Sequence, residues 1–308
     1  MIIRGFPDFS AQSRTALEDF SPALGWPNAV IHARNKELYY PEHEGPLSIL
    51  CNFRGEAEYH VRGRSFAVND SSYLLLNDGQ RFSNIIHSET DVESLHIWFE
   101  SGFAGRILRD LVTPADRLLD EPEPVNQQPI QFLEKTYPHG GTLTPMLLQI
   151  RAGIASELPG PGWLEEQFHL LLERLVDVHR GVRTEIDRLP AVRRSTRVEL
   201  YRRLHIARDF IDSRAGSPVM LNEMARTACL SPFHFLRLFK QIFGLTPHQY
   251  LTARRLEMAR RMLAGTTLPV SQICYNVGFS SPASFSGLFR RHMGISPDAF
   301  RREHQSGD

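Results

Sequence analysis

The chain has 308 residues, of which 42% are hydrophobic and 23% charged, and its 35 lysine and arginine residues balance 35 aspartate and glutamate residues. This composition is ordinary for a soluble globular protein, and the length predicts two or three compact units. The sequence has no run of about 18 apolar residues, which argues against a transmembrane helix. Its start, MIIRGFPDFS, lacks the basic region and apolar run of a signal peptide. We therefore expect a cytoplasmic protein with no membrane partner.

The net charge of zero hides two parts of opposite sign. Residues 1–189 contain 17 lysine and arginine residues against 27 aspartate and glutamate residues, whereas residues 190–304 contain 18 against 7. A basic segment attached to an acidic one is typical of a nucleic-acid-binding module joined to a domain with another role.

The three cysteines, Cys51, Cys229 and Cys274, are scattered along the chain. They show neither the C-x-x-C spacing of a metal site nor the even number of a disulfide framework. We expect buried free thiols, as in a reducing compartment.

Residues 30–99 are predicted to be β-structure. Short apolar runs alternate with turn signals in the order LSILCNF, AEYHV, SFAV, SSYLLL, NIIH and ESLHIWF. A spacing near ten residues, with Gly, Asn and Asp between the runs, indicates a sandwich or a small barrel. Residues 113–130 contain four prolines and are expected to be a connector.

From residue 143 onward the apolar residues recur at helical spacing. Residues 146–154 predict a short helix, and a longer helix follows with an apolar stripe from Leu164 to Val178. This stripe is a candidate seam for a homodimer, although a stripe of this width is also a common core face. Residues 181–190, GVRTEIDRLP, are expected to form the interdomain linker, and another helix is expected to begin near Ser195.

The last third of the chain contains an internal repeat offset by 50 residues. The first copy reads LSPFHFLRLFKQIFGLTPHQYL and the second reads SSPASFSGLFRRHMGISPDAFR. In each copy a Ser-Pro pair, at 231–232 and at 281–282, provides an N-cap and a first-turn proline, so a helix is predicted to begin at each proline. Gly244 and Gly294 suit the left-handed position that ends a helix.

A shorter helix and a tight turn precede each capped helix. The short helices are LNEMARTA and VSQICYNV, and the second turn is one residue longer than the first. Short helix, tight turn and capped helix is the layout of a helix-turn-helix unit. Between the copies, HQYLTARRLEMARRMLAG predicts one amphipathic helix that joins the two units.

These paired motifs resemble those of the AraC/XylS family of transcription regulators over residues 195–304. The resemblance implies a sequence-specific, DNA-binding transcription regulator with Pro232–Phe243 and Pro282–Met293 as recognition helices. It also implies that these helices enter adjacent major-groove segments of double-stranded DNA about one helical turn, ~34 Å, apart. We expect a homodimer that responds to a small-molecule effector, with RNA polymerase as a further partner.

The outer face of the first recognition helix is expected to contact DNA through Phe233, His234, Leu236, Arg237 and Lys240. Arg237 is the expected guanine reader, because its guanidinium fork can bond O6 and N7 together, although a phosphate contact or a solvated charge would also suit it. Phe233 and Leu236 could touch thymine methyl groups or serve packing. Lys240 is expected to contact phosphate or to compensate the helix dipole.

The second recognition helix has shorter side chains on its outer face: Ala283, Ser284, Ser286 and Gly287. We therefore expect little base-specific readout there, with backbone contacts from Arg290 and Arg291. On the joining helix Arg254 is a further candidate DNA contact. It belongs to a group of arginines that we expect to divide between phosphate contacts and solvated charge: Arg254, Arg255, Arg260 and Arg261.

Members of the family commonly carry a cupin-like β-barrel before the DNA-binding part, and residues 30–99 resemble a diverged version of it in pattern and order. The expected fold class is α+β, with a cupin-like N-terminal β-barrel, flanking helices and a C-terminal all-α double helix-turn-helix domain. The expected boundaries are 1–130 for the sensor barrel, 131–190 for the helical dimerisation segment and linker, and 191–308 for the DNA-binding domain.

The barrel region contains several histidines: His32, His43, His60, His87 and His96. None forms an H-x-H pair with a following glutamate, so we expect no metal, no cofactor and no catalytic residues. His96 and Trp98 share one face of the strand SLHIWFE and are candidates to hold a polar, ring-shaped effector, although Trp98 could equally fill the core. Two alternatives stay open: a cupin enzyme with an accessory DNA-binding domain, and a barrel that only assembles or contacts partners.

Overall fold

The structure is a computed structural model that describes residues 1–6, 26–100, 102–103, 105–107, 131–156, 160 and 162–305. The connector predicted at residues 113–130 lies outside the described residues. Strands occupy the N-terminal unit and helices form the C-terminal one, so the predicted α+β fold class is confirmed. Met1–Arg64 and Val68–Arg188 form the first unit, and Leu189–Asp308 together with the short segment Ser65–Ala67 forms the second.

The first unit contains one eight-stranded sheet. Its strands are β1 (Ile2–Arg4), β2 (Ala29–Gly45), β3 (Ser48–Arg54), β4 (Glu56–Val61), β5 (Arg64–Asn69), β6 (Ser72–Leu76), β7 (Gln80–Trp98) and β8 (Thr136–Pro138). The sheet order is β1-β2-β7-β3-β6-β8, and β4 pairs with both β5 and β7. In β4 every second residue is buried, which is the pattern of an antiparallel strand with one face on the core.

The long strand β7 organises the sheet. It pairs with β2 along most of its length, with β4 over its first half and with β3 over its second half. The two runs NIIH and ESLHIWF, predicted as separate strands, are therefore parts of one strand. The short strand β8 pairs with β6, so the segment 131–190, predicted to hold the dimerisation helices and the linker, also contains a sheet strand.

Two helices follow in the first unit, α1 (Thr144–Ser156) and α2 (Trp163–Asp187). The apolar stripe of α2 is buried within the unit: Phe168, Leu171, Leu172 and Leu175 are at most 2% exposed. The middle of the Leu164–Val178 stripe is therefore a core face, which is the second of its two predicted roles. The polar linker predicted at 181–190 is wrong over most of its length, because α2 continues to Asp187.

An ion-pair cluster attaches α1 to the sheet. The guanidinium of Arg151 donates to both carboxylate oxygens of the buried Glu93, at 2.6 and 2.9 Å, and His32 lies 3.0 Å from the same carboxylate. Burial opposes ionisation of this carboxyl, but these hydrogen bonds lower the pKa of Glu93 to about 2. The charged pair thus fixes the helix at one position on the sheet.

From Leu189 onward, the regular secondary structure of the second unit is helical in its described residues. Its helices are α3 (Arg194–Ser213), α4 (Leu221–Thr227), α5 (Pro232–Phe243), α6 (Pro247–Gly265), α7 (Val270–Asn276), α8 (Pro282–Met293) and α9 (Pro297–Gln305). The buried faces of α6, α7, α8 and α9 meet in one apolar cluster that includes Ala259, Ile273 and Phe289. In the described part of the chain, no helix is long and apolar enough to cross a membrane.

Candidate nucleic-acid interface

The two predicted recognition helices, α5 and α8, have the predicted ends. The Ser231 hydroxyl accepts the backbone N–H of His234, and the Ser281 hydroxyl accepts the backbone N–H of Ser284. Gly244 and Gly294 end the helices at φ +73° and +84°, a region that favours glycine. The predicted bounds Pro232–Phe243 and Pro282–Met293 are confirmed.

The inner faces of α5 and α8 hold the recognition helices in place. Phe235 and Phe239 are fully buried with ring centroids 5.2 Å apart, and Phe285 and Phe289 repeat the arrangement at 5.7 Å. Because these rings fix the rotation of each helix about its axis, the opposite face of each helix is directed to solvent.

On α5 the solvent face carries long and bulky side chains. Phe233 is 77% exposed and Leu236 is 39% exposed, which are unusual values for large apolar residues. His234, Arg237 and Lys240 are exposed beside them. Among the described residues neither Arg237 nor Lys240 has an ion-pair or hydrogen-bond partner for its side chain, so both cations are available to DNA.

On α8 the solvent face is smaller and less varied. Ala283, Ser284 and Gly287 are exposed and Ser286 is half-buried. Arg290 and Arg291, in the last turn, are exposed, and no side-chain partner for either lies within the described residues. The two cations at the helix end can reach phosphates, whereas the short side chains before them cannot form a bidentate contact with a base.

Comparison with known proteins gives this part of the chain a family. The sequence model of a family described as "Helix-turn-helix domain" matches residues 224–303. The chain is 37% identical over 93 residues to the probable transcriptional regulator LumQ of Photobacterium leiognathi, which covers 30% of this chain and 38% of that protein. It is 30% identical over 117 residues to the arabinose operon regulatory protein of Escherichia coli, covering 38% of this chain and 40% of that protein. The second unit contains an AraC-type helix-turn-helix domain.

A solved AraC-type regulator domain from Chromobacterium violaceum is similar to the same part of the chain. It is 30% identical, covers 34% of this chain and 95% of that chain, and superposes with a TM-score of 0.33. The chain spans less than half of the length of the curated relatives named above. The similarity therefore concerns the AraC-type domain, which contains both α5 and α8.

Within the AraC-type domain, the side chain of Arg254 is buried and lies against a carboxylate, which argues against its prediction as a DNA contact. This residue of α6 is only 9% exposed, and its Nε lies 3.4 Å from a carboxylate oxygen of Asp212 in α3. The Tyr250 hydroxyl donates to the same carboxylate at 3.0 Å, and Arg208 of α3 lies 3.9 Å from it. These four side chains form a buried ionic cluster that attaches α3 to α6.

Other arginines of the joining helix are also engaged inside the AraC-type domain. Arg255 donates to the backbone carbonyls of Ala215 and Ser217 at 2.9 and 2.8 Å. Arg260 forms an ion pair with Glu257 at i,i+3 spacing. The sequence did not separate these structural arginines from the free cations of α5 and α8, because all of them lie on helices of one basic segment.

The turns of the two helix-turn-helix units each contain a residue with positive φ, and the residue type differs between them. Cys229 has φ +50° and Gly278, at the equivalent place, has φ +88°. The next residue donates its N–H to a carbonyl of the preceding helix in both units, Leu230 to Ala225 and Phe279 to Cys274, each at 3.0 Å. Cys229 is exposed, which corrects the prediction that all three cysteines are buried; Cys51 and Cys274 are buried as predicted.

The structure separates the two predicted effector contacts of the first unit, His96 and Trp98. Trp98 is 1% exposed and packs edge-on against Trp26 at 5.1 Å, as part of an apolar cluster. His96 is 2% exposed and lies 2.7 Å from the Tyr59 hydroxyl. Burial lowers the pKa of His96 to about 3, so its ring is neutral at physiological pH. Trp98 is therefore a core residue, and His96 belongs to a polar interior.

The histidines of the first unit are not arranged around a common point. Within the described residues, no group of three or more His, Cys, Asp or Glu side chains has the arrangement of a metal site. His32 instead contacts Glu93, and His43 contacts the backbone carbonyl of Pro41.

Proposed function

We propose that the whole chain is a sequence-specific transcription regulator, in which the AraC-type domain binds double-stranded DNA and the sheet unit binds a small-molecule effector. The observation that carries the DNA-binding part is the pair of capped recognition helices with exposed outer faces, one of which presents Arg237 beside two exposed apolar side chains. The proposal assigns no reaction to the sheet unit. It places the protein in the bacterial cytoplasm, where its effect is on transcription by RNA polymerase.

Charge supports the same assignment. Residues 190–304 hold 18 lysine and arginine residues against 7 acidic ones, while residues 1–189 are acidic. A domain with this excess attracts the phosphate backbone, and residues that reach base edges then supply specificity. The homodimer stays a prediction, because the apolar stripe proposed as its seam is largely buried within the chain. The molar mass of the protein in solution tests it.

The test is binding of the purified full chain to duplex DNA at several salt concentrations, compared between two doubly substituted variants of equal net charge. Arg290→Ala with Arg291→Ala removes two exposed cations from α8 and should weaken binding and flatten its salt dependence by about two phosphate contacts. Arg62→Ala with Arg81→Ala removes two exposed cations from the sheet unit and should leave binding unchanged. Equal weakening by both pairs would show attraction by net charge alone and would contradict the proposal.

A further inference from the structure

The sheet unit contains a group of polar side chains on the inner face of its long strands, which we name the interior polar cluster: Tyr40, His43, Tyr59, Asn84 and His96. Asn84 of β7 is in register with Tyr40 of β2 and with Tyr59 of β4, and residues in register lie on the same face of a sheet. Tyr59 and Asn84 are fully buried, and Tyr40 is 6% exposed. The Tyr59 hydroxyl reaches His96, and the Tyr40 and His43 rings lie 4.7 Å apart.

Asn84 differs from every other buried amide of the described residues. Both its Nδ2 and its Oδ1 are buried without a hydrogen-bond partner, and no other described side chain has two such atoms. Folded proteins pair nearly all buried polar groups, because an unpaired amide loses its hydrogen bonds to water and gains none in exchange. The protein itself supplies no partner to either end of the Asn84 amide, so both ends can bond to a group from outside the chain.

A second buried asparagine shows the ordinary arrangement. Asn52 of β3 is also fully buried, but its Nδ2 donates to the carbonyl of Val68 at 2.9 Å. Its Oδ1 accepts the Ser94 hydroxyl at 2.7 Å. The sheet unit can thus satisfy a buried amide where the amide serves the fold.

The cluster carries no formal charge. Burial lowers the pKa of both His96 and His43, and burial raises the pKa of Tyr59, so the rings are neutral at physiological pH. Arg81, whose charge acts on His43, is exposed and pairs with Glu42 at 3.3 Å. Among the described residues, no lysine or arginine donates a hydrogen bond to Tyr59, Asn84 or His96, so an anionic ligand beside these three side chains would be buried without a compensating charge.

We propose that Asn84 recognises an uncharged ligand inside the sheet unit, one that presents a hydrogen-bond donor and acceptor side by side to the two ends of the amide. The Tyr59–His96 pair lies on the same interior face and supplies further hydrogen-bonding atoms, and the rings of Tyr40 and Phe82 supply apolar walls. This inference rests on the proposed function, because it names the chemical class of the effector. It excludes carboxylates and phosphates.

The first test needs no ligand and uses two matched substitutions in the full chain. Asn84→Leu replaces an unpaired amide by an apolar group of similar volume, so the melting temperature of the ligand-free protein should stay the same or rise. Asn52→Leu breaks two hydrogen bonds and should lower it by roughly 2–4 °C or more. If Asn84→Leu lowers the melting temperature as much as Asn52→Leu does, the Asn84 amide is satisfied in the ligand-free fold and the inference is overturned.

The second test uses the unmodified chain, so it holds even if a variant fails to fold. Melting curves are recorded with uncharged sugars, polyols and primary amides and with their carboxylate counterparts, for example D-galactose against D-galacturonate and nicotinamide against nicotinate. At least one uncharged compound should raise the melting temperature while its carboxylate does not, and Asn84→Leu should abolish the shift. A shift by a carboxylate, a shift that survives Asn84→Leu, or no shift with any uncharged compound would overturn the ligand class.

DNA binding by the same preparations separates this inference from the proposed function. If the unmodified chain does not bind DNA while the melting results hold, the proposed function fails and the ligand site stands. If DNA binding holds and the melting results fail, only the inference about Asn84 is wrong.

Discussion

The two helix-turn-helix units share their internal contacts and differ on the faces that meet solvent. Phe239 lies 5.6 Å from Tyr250 at an interplanar angle of 76°, and Phe289 lies 5.8 Å from Phe300 at 79°. On the outer faces, Arg237 of the first unit corresponds to Gly287 of the second. Core packing and caps constrain the inner residues equally in both helix-turn-helix units, whereas no contact inside the domain constrains the outer faces in the same way. One fold thus presents two unequal outer faces.

A second difference lies behind the recognition helices. In the first helix-turn-helix unit, Tyr250 and Arg254 belong to the buried ionic cluster with Asp212. The equivalent residues of the second helix-turn-helix unit are Phe300 and His304, whose rings stack with their centroids 3.9 Å apart. The first helix-turn-helix unit is therefore stabilised by paired buried charges at this place, and the second by contact between two rings.

Removing one charge of the cluster should have the largest effect on stability. Arg254→Met leaves the Asp212 carboxylate buried without one of its guanidinium neighbours, so we expect the AraC-type domain to lose about 3 kcal/mol or more. The measurement is urea unfolding of the full chain, with hydrogen exchange of the α6 amides to assign the loss to this domain.

The matched control for this substitution is Arg290→Met. Because Arg290 is exposed, its replacement should change stability by less than about 0.5 kcal/mol while weakening DNA binding and reducing the salt slope by about 1. If Arg254→Met instead behaved like Arg290→Met, Arg254 would be a phosphate contact after all, and the ionic cluster would not be structural.

Specificity should depend on the first recognition helix. Arg237→Ala should cost roughly 1–3 kcal/mol of binding free energy on the preferred DNA site and relax the preference at one base pair, because the bidentate contact to guanine is lost. Competition binding with DNA sites changed at one base pair at a time measures both effects. Equal weakening on all sequences, with a shallower salt slope, would place Arg237 on phosphate instead.

The reciprocal substitution sharpens the comparison between the units. Gly287 has open space around the position of a Cβ atom, so Gly287→Arg can place a guanidinium at the site that corresponds to Arg237. We expect a new base preference in the DNA segment bound by the second helix-turn-helix unit and an unchanged preference in the DNA segment bound by the first. An unchanged preference in both segments would show that side-chain reach does not determine readout here.

The smallest expected effects concern the two turns. A Cβ atom on Gly278 would lie 2.9 Å from the Arg255 guanidinium, and the residue has φ +88°, so Gly278→Ala should cost about 1–2 kcal/mol of stability. Cys229→Ala should be nearly neutral, since a side chain already occupies that turn, and Cys229→Gly should stabilise by up to about 1 kcal/mol. Thermal unfolding of the three variants measures these changes in stability. Equal losses of stability for Gly278→Ala and Cys229→Ala would contradict the expectation that only the Gly278 turn requires glycine.

The recognition helices could be predicted because their signals are local. A Ser-Pro pair, a phenylalanine pair four residues apart and a terminal glycine lie within a single helix and its ends, and the structure repeats them as expected. The position of Arg254 could not be predicted in the same way, because burial of its side chain depends on Asp212 of another helix. An arginine on an amphipathic helix has the same local pattern whether it meets a carboxylate or a phosphate.

The sheet shows a similar limit. The polar residues 88–91 predicted a break between two strands, but β7 runs through them as one strand. The register with β2 is interrupted between His87 and Val92, and neither β3 nor β4 is in register with this stretch, so its side chains stay exposed or half-buried. Likewise, alternation correctly placed His96 and Trp98 on buried positions, while only the structure shows that Trp26 engages one and Tyr59 the other.

The most direct test of the central claim is selection of binding sites from random duplex DNA by the purified full chain. Sequencing of the bound pool should show two segments about one helical turn apart, one strict and containing a guanine, the other tolerant. The same selection with Arg237→Ala should relax the base preference of the strict DNA segment alone and thereby assign that segment to the first helix-turn-helix unit. An unenriched pool would contradict DNA recognition. A stricter DNA segment under the second helix-turn-helix unit would contradict the division of roles between α5 and α8.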